Sequence, residues 1–276
     1  MPCNRILTKT DCMTLFNILG LASTVSLVLP IGFLLYSGLA WYRSFPALFF
    51  YYVLLLSYNL ILLGYIPMDS QFRYYHGVIN NLLDTPLILL FLMYFSNSVQ
   101  FRKIMTKLII GFVGLEVLVI ALFGINVKAI TVILAPGLIL ALILSLQFFR
   151  HHVKIAVVHQ KATGKAMMVS SLVFAYVGYC FVYAVFYLIK PAQKNDAHLV
   201  FFLITVFSSI AMAAGIYFER FRVRQLAELK ITRNELRKIY GEQQEEEEPK
   251  LRTASNEAIL VSLSNNKGPK RNIFLR

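Results

Sequence analysis

The chain reads as an all-α, polytopic membrane protein: a seven-helix transmembrane bundle followed by a cytoplasmic helical stalk. Three observations lead there. Of its 276 residues, 58% are hydrophobic and 15% charged, against roughly 45–50% and 25% in soluble domains. Mean hydropathy is +0.64, more apolar surface than a soluble fold can bury. The apolar residues also fall in continuous runs of the length a bilayer-crossing helix needs, about 20 residues. A soluble enzyme, a disordered chain and a disulfide-rich secreted module are excluded.

Seven runs qualify: Leu15–Ala40, Pro46–Ile66, Gly77–Ser96, Met105–Ile125, Ala129–Phe149, Met167–Ile189 and Leu199–Phe218. They are continuous, whereas the strands of a membrane barrel alternate apolar with polar. In lipid only a helix satisfies the backbone of such a run within itself. The first run is too long, and too weakly charged at its start, for a cleaved signal peptide, so it is expected to stay in the mature protein. Gly124, Asn126 and Lys128 form the only break between the fourth and fifth runs, enough for a tight turn. The domain plan is an extracytoplasmic N-terminus at 1–13, the seven-helix domain at 14–218, the stalk at 219–241 and an acidic, then basic, disordered tail at 242–276.

Charge sets the expected orientation. Net charge is +13. With the N-terminus outside, the three inner loops carry eight Lys and Arg: Arg43, then Arg102, Lys103 and Lys107, then Arg150, Lys154, Lys161 and Lys165. The three outer loops carry four: Arg73, Lys128, Lys190 and Lys194. The positive-inside rule therefore predicts a multi-pass cell-membrane protein with its N-terminus outside and C-terminus cytoplasmic. The basic excess suits anionic lipid, making the bilayer the first partner. No folded basic surface argues for nucleic acid.

Beyond Phe218, Glu219–Tyr240 holds strong helix formers without Gly or Pro, and Leu226, Leu229, Leu236 and Ile239 give it an apolar edge. Gly241 is expected to end this helix. The stalk reads either as a basic juxtamembrane helix against lipid or as a short coiled coil that joins a second copy or a cytoplasmic partner. The heptad is broken at Arg233.

Ionisable residues inside a span are functional candidates by default, and the runs contain two, Asp84 and Glu116. The ordinary role for each is a neutral carboxyl hydrogen-bonded to a Tyr, Asn or Ser of the next helix. Asp84 has a richer setting. Asn80 and Asp84 share one helix face, Asn81 and Thr85 the neighbouring one, and Pro86 follows, freeing a carbonyl one turn back. This predicts an interior polar pocket around the third helix, with Asn59 of the second span facing it. The sixth span adds a tyrosine stripe, Tyr176, Tyr179, Tyr183 and Tyr187, and the seventh adds Thr205, Ser208 and Ser209. The expected pocket set is Asn59, Asn80, Asn81, Asp84, Thr85, Glu116, Tyr176, Tyr179, Thr205 and Ser209. Ala211, Ala213, Ala214 and Gly215 permit close helix approach.

Other chemistry is sparse. His151, His152 and His159 read as solvated in a basic loop. His76 and His198, with Asp69 and Asp196, would hold a metal only if their helices were neighbours; no metal is expected. Cys180 reads as a packed residue, whereas Cys3 and Cys12 are free to pair outside. No HExxH, GxSxG, Walker or GxGxxG pattern argues for an enzyme.

The stretch Asp84-Thr85-Pro86-Leu87-Ile88-Leu89-Leu90 resembles the third-helix Thr-Thr-Pro-Leu-Leu-Leu segment of the microbial rhodopsins, and Phe174-Ala175-Tyr176 is similar to their sixth-helix aromatic pocket. The resemblance implies a seven-helix bundle with an interior pocket. It implies no covalent retinal, because Leu199–Phe218 lacks the Schiff-base lysine. The family's proton acceptor falls at Asn80 and its donor at Phe91. The leading expectation is a sensor or receptor-like protein that passes a change through the sixth and seventh helices to the tail. The alternatives are a transporter or channel coupled through Asp84 and Glu116, and a membrane-embedded lipid hydrolase using the same two carboxyls. Two carboxyls in one cavity favour the alternatives; separate carboxyls, with an ordered stalk, favour signalling or scaffolding.

Overall fold

The computed structural model describes the backbone over residues 9–96, 98–159, 162–188 and 194–265, and side chains over most of the same stretches between 16 and 237. The described residues form seven α-helices: α1 (Lys9–Ser37), α2 (Phe45–Leu62), α3 (Ser70–Leu92), α4 (Val99–Phe123), α5 (Val127–His159), α6 (Thr163–Leu188) and α7 (Lys194–Asn265). All seven are long and apolar enough to cross a membrane.

Local chemistry explains where they start and stop. Asp69 accepts a hydrogen bond from the Ser70 amide at 2.8 Å and opens α3 seven residues before the apolar run begins. Ser98 caps α4, and Asn126 caps α5 by accepting from the Ala129 amide at 2.9 Å. These side chains satisfy orphan amides of the first turn. Helices therefore extend into polar flanks that hydropathy alone assigns to loops. Gly38 and Gly124 end α1 and α4 at φ +69°, a conformation that only glycine adopts without strain. The α4–α5 break is thus the tight turn expected.

The chain divides into two compact units, Met1–Arg222 and Val223–Arg276. In the first, α2 packs between α1 and α3, α3 also meets α4 and α5, and α6 lies along α5. Phe16 of α1 meets Phe202 of α7 edge to face at 5.2 Å. A Cβ on Gly178 of α6 would stand 2.5 Å from Ile204 of α7. Thus α7 touches both α1 and α6. The helix with the fewest buried residues is α4, whose Ile110, Val117, Leu118 and Leu122 are exposed. Such a surface suits lipid, not water.

In the second unit, the described side chains of α7 expose Leu226, Leu229, Ile231 and Leu236. The helix does not stop at Gly241; it continues to Asn265. One internal glycine costs only about 1 kcal/mol, and the run Glu242–Glu248 beyond it consists of good helix formers. The described helix also passes through Pro249 to Asn265, over residues where disorder is expected.

Candidate ligand pocket

The first unit has two distinguishable ends. One is where α3 begins, at Asp69; the other is where α3 finishes, beside Glu219 of α7. Between them lies a cavity of about 270 Å³ bounded by α2, α3, α5, α6 and α7. Its polar wall is Asn80, Asn81 and Asp84 of α3. Its aromatic walls are Tyr51 and Tyr58 of α2, Tyr179 and Tyr183 of α6, and Phe201 of α7. Leu134 and Leu138 of α5 complete it. A second cavity of about 380 Å³ lies toward the Asp69 end, where Ser70, Arg73, Tyr74 and Gly77 line it. The two share Tyr58, Leu62 and Asn81, so these three side chains form the partition between vestibule and inner chamber.

Asp84 is half-buried and faces the chamber, not lipid. The Tyr176 hydroxyl donates to its Oδ2 at a long 3.3 Å. Among the described residues no Lys, Arg or His side chain pairs with it; the ion pair found there is Arg222–Glu219. Tyr176 is fully buried and meets Tyr179 edge to face at 5.9 Å. Tyr179 in turn stacks on Phe201 at 5.6 Å. The Tyr183 hydroxyl is tied to the Thr131 carbonyl at 3.1 Å. The tyrosine stripe thus runs along the chamber from floor to mouth; the side chain of Tyr187 lies outside the described residues. Tyr58 stacks on His76 at 6.4 Å with the rings nearly parallel, and His76 Nε2 lies 3.1 Å from Ser57 Oγ.

Of the ten expected pocket residues, the structure brings Asn80, Asn81, Asp84 and Tyr179 to the chamber, with Tyr176 behind them. Five do not line it. Asn59 turns to α1, where its Nδ2 donates to Ser23 Oγ and Thr24 Oγ1, both at 3.1 Å. Thr85 is buried against α5, where a Cβ on Gly137 would stand 2.5 Å from its Oγ1. Glu116 is buried but lines neither cavity. It shares an α4 face with Phe112 and Val119, which pack in an apolar cluster with Ala129 and Ile133 of α5, and its Oε1 has no partner. Thr205 donates to the Phe201 carbonyl within its own helix and also meets the Tyr179 hydroxyl, one layer behind the chamber wall. Ser209 is buried beside Tyr52. The two carboxyls are therefore in different places. Among the described residues no group of three His, Cys, Asp or Glu could hold a metal. Asp69 caps α3, and the side chains of Asp196 and His198 lie outside those residues, as do Cys3 and the side chain of Cys12.

A second polar group closes the Glu219 end. Glu219 of α7 is fully buried. It accepts a hydrogen bond from the Tyr94 hydroxyl and pairs with Arg222 at 3.3 Å. Lys165 of α6 is buried with its Nζ 4.5 Å above the Tyr94 ring. The helices cross closely here: a Cβ on Gly164 would stand 2.5 Å from the Glu219 backbone nitrogen. His152 is also buried, correcting the expectation that it is solvated. Its ring meets Phe95 edge to face at 5.4 Å, and its Nδ1 lies 3.0 Å from the Phe148 carbonyl oxygen. Exposed His151 fits that expectation, and the side chain of His159 lies outside the described residues.

Residue type and spacing could have flagged Tyr51 and Tyr58, which are seven apart and share a face of α2. Nothing local marks Glu219 or Lys165, because their burial depends on which helices meet. Comparison with known proteins finds no matching family model, and no significant match to a curated protein or a solved structure.

Proposed function

We propose that this chain is a membrane-embedded, receptor-like protein. A ligand in the Asp84 chamber would shift α6 against α7, and the Glu219 group would register the shift. One observation carries the reading. The two helices that wall the chamber with Tyr179 and Phe201 also hold Lys165 and Glu219 at the other end. Between these points they are tied by Ser171 Oγ donating to the Ser208 carbonyl at 2.6 Å. A packed helix pair of this kind moves between discrete arrangements instead of deforming continuously. The loop charge bias supports a vestibule open to the outside, with the Glu219 end and the α7 tail in the cytoplasm. The absence of a lysine between Leu199 and Phe218 supports a pocket without a retinal Schiff base. Transport or lipid hydrolysis by paired carboxyls draws less support, since Glu116 lines neither cavity.

The test uses spin labels at Phe174 of α6 and Phe218 of α7, both exposed, in the full chain without native cysteines. Asn81→Trp mimics occupancy by filling the partition. The distance distribution should move by about 1–2 Å, the scale of helix shifts at switching interfaces. An unchanged distribution in a folded variant overturns the reading.

A further inference from the structure

We propose that the Asp84 chamber binds a small organic ammonium ion, with the carboxylate as counter-charge and the tyrosine rings as its cage. This rests on the receptor reading for its biological use, but binding itself is a separate property. Charge excludes anions first: the chamber's ionisable lining group is Asp84, and no cationic side chain neutralises it among the described residues. An anion would meet a carboxyl among aromatic and leucine side chains, with no cationic group lining the chamber to hold it. Size and lining argue against a bare metal ion. A hard cation wants six or more oxygens closing around it at about 2.3–2.6 Å, whereas this chamber of about 270 Å³ is walled largely by aromatic rings and leucines. The volume lies just under the roughly 300–1,000 Å³ of sites for drug-sized ligands, so the occupant is small.

The walls suit an alkylated ammonium. Tyr51, Tyr58, Tyr179, Tyr183 and Phe201 present rings from three helices around one carboxyl. Such rings attract a soft, weakly hydrated cation over their faces, and a carboxylate beside them fixes its position. Asn80 and Asn81 supply the polar contacts that would orient a hydroxyl or an amine hydrogen. Asp84 is also poorly provided for without such a guest, with one long hydrogen bond from Tyr176. Arg73 lines the vestibule and is exposed; eleven residues along α3 put it about 16 Å from Asp84 at 1.5 Å per residue. His76 stands behind Tyr58 and does not line the chamber.

The probes are choline and its uncharged isostere 3,3-dimethylbutan-1-ol, applied to the purified full chain in a detergent free of choline lipids. Choline should raise the melting temperature in a saturable way, and the isostere should not. Asp84→Asn should remain monodisperse and weaken choline binding about tenfold or more, since it removes an interaction with a charged partner. Tyr179→Phe keeps the ring and should stay within about threefold, whereas Tyr179→Leu should lose as much as Asp84→Asn. A further arm separates a dissolved ammonium from a lipid headgroup. Vesicles of phosphatidylcholine should compete with choline if the headgroup enters, and vesicles of phosphatidylglycerol should not; competition by neither assigns the site to dissolved ammonium. Equal stabilisation by choline and the isostere, unaltered binding in Asp84→Asn, or no response to choline in the wild type overturns the proposal. A spin-label shift with Asn81→Trp would still stand in that event, so loss of the ligand class and loss of the receptor reading are told apart.

Discussion

Asp84 and Glu219 are carboxyls of neighbouring standing in the sequence and opposite standing in the structure. Asp84 sits in an apolar run, yet it faces a chamber and holds one long hydrogen bond. Glu219 sits at the polar edge of a run, yet it is fully buried and its Oε1 is held by both Tyr94 and Arg222, with Lys165 above the Tyr94 ring; its Oε2 has no hydrogen-bond partner. The difference separates site from structure. A buried charge surrounded by partners resists change, because removing one member strands the others. A carboxyl that lines a cavity and holds one long hydrogen bond is available to a guest. The largest expected effect therefore belongs to the better-partnered residue. Glu219→Leu should destabilise the folded protein by about 3 kcal/mol, since it breaks the pair with Arg222, strands the Tyr94 hydroxyl and removes the negative charge that acts on buried Lys165. Glu219→Gln keeps an acceptor for Tyr94 and should cost less. Unfolding in a denaturing detergent series measures both. A Glu219→Leu protein as stable as wild type would make the Glu219 end no latch at all.

The helix crossing beneath that group gives the next effect. Gly164→Ala puts a methyl 2.5 Å from the Glu219 backbone nitrogen, and backbone cannot rotate away. Gly178→Ala meets Ile204 at the same 2.5 Å, but those atoms are a side chain with other rotamers. Overpacking of this kind costs about 1–3 kcal/mol. Gly164→Ala should fall at the upper end and Gly178→Ala at the lower, in the same unfolding series. The reverse order would mean that α6 and α7 are more tightly fixed beside the chamber than at Glu219, and would undercut transmission between them.

How much of this was readable beforehand follows from angles and neighbours. The seven helices were legible because the hydrocarbon thickness of a bilayer dictates a minimum run, and every described helix overlaps its run. Asn80 and Asp84, four apart, did come to one cavity. Thr85 and Asn59 did not, and each misses by one residue. One step along a helix is about 100°, so Thr85 beside Asp84 reaches Gly137, and Asn59 beside Tyr58 reaches Ser23 and Thr24. Sequence showed the polar groups but not which way each helix was turned. The Glu219 group was not legible at all. Lys165 and His152 look like loop residues until α6, α7 and the end of α3 are brought together, and no local pattern states that they meet.

Glu116 supplies the sharpest control on the comparison, with the smallest effect. It is as buried as a core residue, its Oε1 lacks a partner, and its face of α4 packs Phe112 and Val119 against α5. It has neither the chamber of Asp84 nor the partners of Glu219. Replacing it by Leu keeps similar volume and removes a polar group from an apolar setting, so Glu116→Leu should be neutral or stabilising, by up to about 1 kcal/mol. Asp84→Leu should instead cost about 1–3 kcal/mol, because the buried Tyr176 hydroxyl loses its acceptor. Choline binding separates the pair further: lost in Asp84→Leu, unchanged in Glu116→Leu. If Glu116→Leu destabilises the protein and also weakens choline binding, the two carboxyls act together. Readings that depend on paired carboxyls, transport first among them, then regain the ground that their separation had cost them.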